Sequence, residues 1–348
     1  MVTGAADVPA PAAPKPINLA LQGGGAHGAF AWGVLDRLLE DERIVIDGIS
    51  ATSAGAMNAA VLAYGWTVGG RDGARSALAA FWERIGNAGA FGLLQPSWFD
   101  RLMRDDSLRF SPVFNFFDLV TRLFSPYELN PLNINPLRDV LAASVDFALL
   151  RTGACPIKLF ISATNVRTGK IKIFERRDMC VDRVMASACL PLLFQAVEVD
   201  GEHYWDGGYM GNPAMFPLIY NCTSRDIVVI RINPLHRREL PRTAADILNR
   251  MNEITFNSSL MREMRAIGFV TELIDADKIN GGTLKRMLIH SVAGDEELAK
   301  LGAASKLNAD RRFLGRLRGA GRRRADDWLA ANFDLLGATS TIDLQEFV

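Results

Sequence analysis

Two stretches without a charged residue, one between Lys15 and Asp36 and one between Asp47 and Arg71, constrain this chain more than any other feature. Either is long enough to cross a bilayer as a helix. Their composition argues otherwise. The first holds Gly23, Gly24, Gly25, Gly28 and Gly33 with Gln22 and His27, and the second is mostly small residues with Ser50, Thr52, Ser53 and Asn58. Segments of that kind read as buried strand–turn–helix units of an α/β core, because a strand covered on both faces has no need to alternate with polar residues. No spanning helix is expected.

The rest of the chain keeps this rhythm. Residues 17–21 and 44–52 read as strands, each followed by a helical pattern, at 29–39 and 54–64. Further strand-like runs lie at 158–166, 171–174, 227–232 and 287–290, with helical patterns at 183–188 and 243–274. Such alternation predicts an α/β fold of three layers, α/β/α, with a mostly parallel central sheet. No internal repeat and no long linker interrupt it. One domain is therefore expected over 16–348, with its core motifs in 17–235 and a helical C-terminal part at 243–348. It follows a Pro/Ala-rich tail, 1–15, that reads as disordered.

Composition narrows the function. Lys+Arg and Asp+Glu stand at 39 each, which argues against a general nucleic-acid binder. Cys155, Cys180, Cys189 and Cys222 form no CxxC pair and read as buried thiols. His27, His203, His236 and His290 show no ligand spacing with acidic partners, so neither a metal nor another cofactor is expected. The first residues lack a basic and then an apolar region, which predicts no secretory signal and a cytoplasmic location.

Two segments stand apart. Residues 91–127 hold nine of the chain's thirty aromatics, among them Trp98, Phe116, Phe117 and Tyr127. They read either as extra core or an oligomer contact, or as an apolar cap that admits acyl chains or touches a lipid surface. The second is an arginine cluster running from Arg311 to Arg324, with Phe313, Leu314 and Leu317 interleaved. It is either a solvated face or an amphipathic helix drawn to anionic headgroups at the inner face of a membrane. Gly315, Gly319 and Gly321 weaken the helical reading.

The chemistry-bearing motifs are three. Residues 19–28 place G-x-G-x-x-G at Gly23, Gly25 and Gly28 between a strand and a helix, a nest of backbone N–H groups that suits a pyrophosphate or an oxyanion. Residues 49–56 set Ser53 among small neighbours at a second strand-to-helix junction. That is the physics of a nucleophile elbow, where a sharp turn needs tiny flanking residues and the following helix adds its positive end. The third is Tyr204-Trp205-Asp206-Gly207-Gly208, an ordinary turn when taken alone.

In this order, with Ala186-Ser187-Ala188-Cys189-Leu190-Pro191 before the aspartate and Asn212-Pro213 after it, the three motifs resemble the patatin-like phospholipase family. The resemblance covers roughly 17–235. It implies Ser53 as nucleophile and Asp206 as its base, a dyad without histidine. It further implies an oxyanion loop of Gly23, Gly24, Gly25, Ala26 and Gly28, supported by Ala51, Gly55, Gly207 and Gly208, acting on a lipid or hydrophobic ester. Two positions depart from the family pattern. Ala51 stands where glycine opens the elbow, and would be strained if its φ were positive. His27 stands where many members carry Arg or Lys, and as a neutral imidazole could still serve as a polar helper.

Other readings compete. A Ser-His-Asp triad would use Ser53, Asp206 and either His236 or His290. A dinucleotide site would rest on the first glycines and an acidic residue such as Asp47. The same dyad could also transfer acyl groups to another acceptor or depolymerise a storage polyester, and a scaffold could keep the fold without turnover.

Overall fold

The computed structural model describes residues 13–90, 112–152, 154–237, 239–279 and 284–347. Among them, eight strands form one sheet: β1 (Lys15–Leu21), β2 (Ile44–Ala51), β3 (Lys158–Asn165), β4 (Ile171–Glu175), β5 (Val197–Val199), β6 (Glu202–Asp206), β7 (Asp226–Arg231) and β8 (Leu288–Ala293). Their order is β5-β6-β3-β2-β1-β7-β8, with β4 also paired to β3. The centre, β3-β2-β1-β7-β8, is parallel throughout. β4, β5 and β6 join it antiparallel. The expected parallel core is present, and the β5–β6 hairpin is an element the sequence did not mark.

The larger helices are α1 (Gly28–Glu40), α2 (Ala54–Ala90), α3 (Pro112–Leu123), α4 (Val181–Ser187), α5 (Phe216–Asn221), α6 (Ala244–Asp275) and α7 (Arg311–Asn332). They cover both faces of the sheet. Leu19, Leu21, Val228 and Ile230 pack with Phe30, Leu35, Leu62, Phe81 and Phe313 of α1, α2 and α7. The intervening Ala20, Ile227 and Val229 pack with Leu218, Leu260 and Met264 of α5 and α6. Successive side chains of a strand point to opposite faces, so these two clusters are the two interfaces of an α/β/α sandwich.

This layering explains the charge-free stretches. α1 is walled in on nearly every side, with residues from Gly28 to Leu39 buried except Arg37, and a helix enclosed that way must be apolar all round. Its one buried charge is Asp36. Burial alone would raise its pKa, yet Arg318, Arg75 and Arg322 hold it below the usual carboxylate range, with contacts of 2.9, 2.9 and 2.5 Å.

Part of the arginine cluster therefore faces inward. Arg318 and Arg322 bind Asp36, and Arg322 also binds Glu40 at 2.8 Å. Gly315, Gly319 and Gly321 do not break α7, which runs unbroken from Arg311 to Asn332. α2 is longer than the sequence pattern suggested and bends at Gly69 and Gly70, whose backbone is not helical. Of the aromatic segment 91–127, residues 91–111 lie outside the described residues. The 1–15 tail lies outside them up to residue 12, and Lys15 already begins β1.

Candidate active site

β2 ends at Ala51 and α2 begins at Ala54. In the turn between them Ser53 takes a φ of 56°, a left-handed conformation that costs a side-chain-bearing residue about 1–2 kcal/mol and persists only where its surroundings enforce it. Two contacts enforce it here. The Ser53 amide donates to Ser187 Oγ at 2.9 Å, and its carbonyl accepts from the Met57 amide at 3.1 Å. Ala51 is the last residue of β2 and is not among the positive-φ residues. Alanine in place of glycine is unstrained there. Gly23 is needed for room, since a Cβ on it would stand 2.5 Å from Ser53 Cβ.

Asp206 reaches the same place through strand register. β4 lies along one edge of β3, from Phe160 to Thr164, so β2 and β6 must share the other. β2 runs parallel to β3 and stops with Ala51 opposite Ile161. β6 runs antiparallel and stops with Asp206 opposite Ala163. The hydroxyls of Thr52 and Ser162 both donate to the Gly211 carbonyl, at 2.6 and 2.9 Å, across the gap between the two strands. Thr164 Oγ1 donates to the Asp206 carbonyl at 2.9 Å, and the Asp206 amide donates to the Cys189 carbonyl at 2.8 Å.

The Asp206 carboxyl is fully buried. Oδ1 accepts from the Gly208 amide at 2.7 Å, while Oδ2 is buried with no hydrogen-bond partner among the described residues. Burial pushes its pKa up to about 6, against the opposing pull of the Ser53 hydroxyl, the Gly208 amide and the Lys306 ammonium. A carboxyl poised there can take and return a proton near neutral pH.

The glycine loop leaves β1 and forms a short 3-10 turn, Gly25–His27, ahead of α1. The Gly23 amide already donates to Asn212 Oδ1 at 2.7 Å, and the Gly28 amide bonds back to the Ala26 and Gly25 carbonyls. Neither is open to an oxyanion. The amides of Gly24, Gly25 and Ala26 have no acceptor among the described residues, as expected for the first donors of a helical turn. The amides left without an acceptor are thus fewer than the loop that the motif suggested.

His27 also differs from expectation. Its Nε2 lies 2.7 Å from Ser305 Oγ, and that hydroxyl donates its one proton to the Gly302 carbonyl at 2.7 Å. Nε2 therefore carries the imidazole proton, and Nδ1 is a buried acceptor without a partner among the described residues. Burial, with the nearby charges of Lys306 and Arg237, drives its pKa down to about 3. The ring is neutral and its only N–H is spent on Ser305, so it has none to give an oxyanion.

The competing residues are occupied elsewhere. His290 Nε2 bonds Asp226 Oδ1 at 2.9 Å between β7 and β8, and His236 is exposed. Neither bonds Asp206, so no Ser-His-Asp triad forms. Asp47 accepts from the Thr223 and Ser224 amides and from Lys158. Among the described residues no group of three His, Cys, Asp or Glu side chains is placed to hold a metal ion.

Three residues beside the site escaped the sequence reading. Ser187 holds the Ser53 amide and Asn212 holds the Gly23 amide, and both lie in the stretches that flank Asp206 in the family resemblance. Lys306 approaches the glycine loop from the C-terminal part, and nothing local in its sequence marks it.

The fold is an α/β/α sandwich that places Ser53 and the Asp206 carboxyl together at the carboxyl ends of its central strands, where open α/β sheets place their ligands. The chain belongs to the patatin-like phospholipase family, whose model matches residues 19–219, and at the level of that family it is a lipid hydrolase. Among solved structures it is similar to VipD from Legionella pneumophila, with 15% identity and a TM-score of 0.44, covering 91% of this chain and 67% of that one. It is also similar to structures of the ExoU–SpcU complex from the type III secretion system of Pseudomonas aeruginosa. Those matches have 18% and 15% identity and TM-scores of 0.33 and 0.31, each covering 90% of this chain but only 52% and 53% of that one. No curated protein sequence matches the chain.

Proposed function

We propose that this protein hydrolyses acyl esters of lipids through a Ser53–Asp206 dyad. Ser53 Oγ attacks the acyl carbonyl and its proton passes to Asp206 Oδ2, so the nucleophile is generated only as attack proceeds. The carbonyl oxygen becomes an oxyanion held by the amides of Gly24, Gly25 and Ala26. Collapse of the tetrahedral intermediate expels the alcohol, which takes the proton from Asp206 and leaves an acyl group on Ser53. Water then attacks that ester, giving its proton to Asp206, and a second collapse releases the fatty acid and returns the proton to Ser53.

The observation that carries this reading is the buried Asp206 carboxyl, whose Oδ2 has no hydrogen-bond partner among the described residues, at the point where β2 and β6 end beside Ser53. Its raised pKa offsets the weakness of an ordinary carboxylate as a base. The family match supports a lipid ester as the substrate. A lipid contact is better supplied by α3 and the residues after it than by α7, because Phe116, Leu119 and Leu123 are exposed whereas Arg318 and Arg322 are bound to Asp36. No helix among the described residues is long and apolar enough to cross a membrane.

Hydrolysis of a chain-length series of p-nitrophenyl esters by wild type and Ser53→Ala, side by side, tests the proposal. Turnover that rises with chain length and vanishes in the variant supports it. A folded wild type that turns over none of the series, or a variant as active as wild type, overturns it.

A further inference from the structure

The segment 302–306, which lies outside the residues matched by the family, grips the glycine loop at three points. The Lys306 carbonyl oxygen sits 2.3 Å from where a Cβ on Gly25 would stand, so chain and loop touch backbone to backbone. Ser305 Oγ accepts a hydrogen bond from the His27 Nε2–H. Lys306 Nζ donates to Asn233 Oδ1 at 2.8 Å, and Asn233 Nδ2 in turn donates to the Gly23 carbonyl at 2.8 Å. Gln22, the residue before the loop, is fixed to the same Asn233, whose amide donates to Gln22 Oε1 at 3.0 Å.

The Lys306 ammonium is the informative part. It lies 5.8 Å from the centre of the Phe256 ring, and that ring packs against Gly208, the residue whose amide holds Asp206. The other cations of this region, Arg237 and Arg250, are paired with Glu253, whereas Lys306 makes no ion pair with a carboxylate among the described residues. A side chain that donates to a neutral amide, with no carboxylate paired to it among the described residues, keeps its charge available to its surroundings.

The geometry points to Lys306 as a positioning residue of the site: it anchors the amides of Gly24, Gly25 and Ala26 through Asn233 and sets a positive charge behind the Phe256 ring that packs against the Asp206–Gly208 turn. This rests on the proposed dyad and extends it to a part of the chain that the family match does not reach. The charges that act on Asp206 are those of Lys306, Cys189 and Tyr209, beside the hydrogen-bond donors of Ser53 and Gly208. Of these, Lys306 alone carries a positive charge. Its own pKa is lowered by burial and by Arg237, opposed by Glu253 and Asp206.

The test compares wild type, Lys306→Met and Lys306→Arg in the full chain. One readout is the pH profile of kcat/KM on a soluble ester; the other is hydrogen exchange of the amides in a 20–32 peptide of the intact protein. Lys306→Met should lower the plateau about tenfold through a loosened donor array. It should also move the acid limb to higher pH and speed exchange of the loop amides. Lys306→Arg should restore the position of the limb. A Lys306→Met profile and exchange pattern superimposable on wild type overturn the assignment, even while Ser53-dependent turnover leaves the dyad standing. A plateau loss with an unmoved acid limb overturns the electrostatic part. If wild type shows no turnover, the dyad reading fails, and unchanged loop exchange still decides against the anchor.

Discussion

Ala51 and Asp206 end two strands that approach each other head-on along one edge of β3, their partners Ile161 and Ala163 separated by Ser162 alone. Ser53 lies just past the end of one strand, and Asp206 is the end of the other. The two groups meet because a parallel and an antiparallel strand compete for the same edge. The carboxyl arrives already buried, with Oδ1 accepting from the Gly208 amide and Oδ2 without a hydrogen-bond partner among the described residues.

Loss of either group should remove turnover without unfolding the protein. Ser53→Ala and Asp206→Asn are each expected to reduce kcat/KM by about 10³-fold or more, with circular dichroism unchanged. Asparagine keeps the bond from Gly208 but cannot take a proton. An Asp206→Asn enzyme retaining more than a tenth of wild-type activity would remove the base from the mechanism.

The raised pKa of Asp206 has consequences for rate and for stability, of opposite sense. The base must be ionised, so kcat/KM should fall as pH drops through about 6. Stability runs the other way. A carboxyl whose folded pKa lies above its unfolded value contributes stability that is fully present below the unfolded pKa and is lost as pH rises through the folded one. Asp206→Asn should therefore gain stability over wild type at pH 8, by up to roughly 3 kcal/mol for a shift of about two units, and lose that advantage below pH 4. Urea titrations at the two pH values measure it, and a variant less stable at pH 8 than at pH 4 relative to wild type contradicts the assignment.

α1 and α7 approach so closely that a Cβ on Gly33 would lie 2.0 Å from the Arg318 carbonyl oxygen. Helix propensity favours alanine over glycine by about 1 kcal/mol. Packing should win here, and Gly33→Ala should destabilise the protein by about 1–3 kcal/mol. The change touches neither Ser53 nor Asp206, so kcat/KM at 20 °C should hold while the melting temperature falls. A rise in melting temperature would mean the two helices separate at little cost.

Exposed Phe116 and Leu123, at 69% and 67%, should matter for aggregated substrates only. Burying such side chains in lipid is worth about 1.5–3 kcal/mol each. Replacing both with serine should cut activity on long-chain ester vesicles about tenfold or more, and leave a short soluble ester alone. Equal losses on both would make α3 a structural element.

How much of this was legible in the sequence follows from the range of the forces involved. The strand–turn–helix units show because burial on both faces forbids charge over a continuous stretch, and Ser53 and the glycine loop show because sharp turns demand small residues at fixed spacing. Asp206 was legible only as the third member of an ordered set. β6 is a five-residue strand whose place depends on which edge of β3 is vacant, and no local pattern records that.

The tertiary structure decided what the motif could not. It spent the Gly23 amide on Asn212 and the His27 N–H on Ser305, which removes both from the donors that the motif offered. It turned Arg318 and Arg322 inward to Asp36, and it brought Lys306 to the loop from far along the chain. Each of these is a hydrogen bond or charge contact between residues remote in sequence. Local composition sets which groups are small, buried or charged; only the packed chain sets which of them meet.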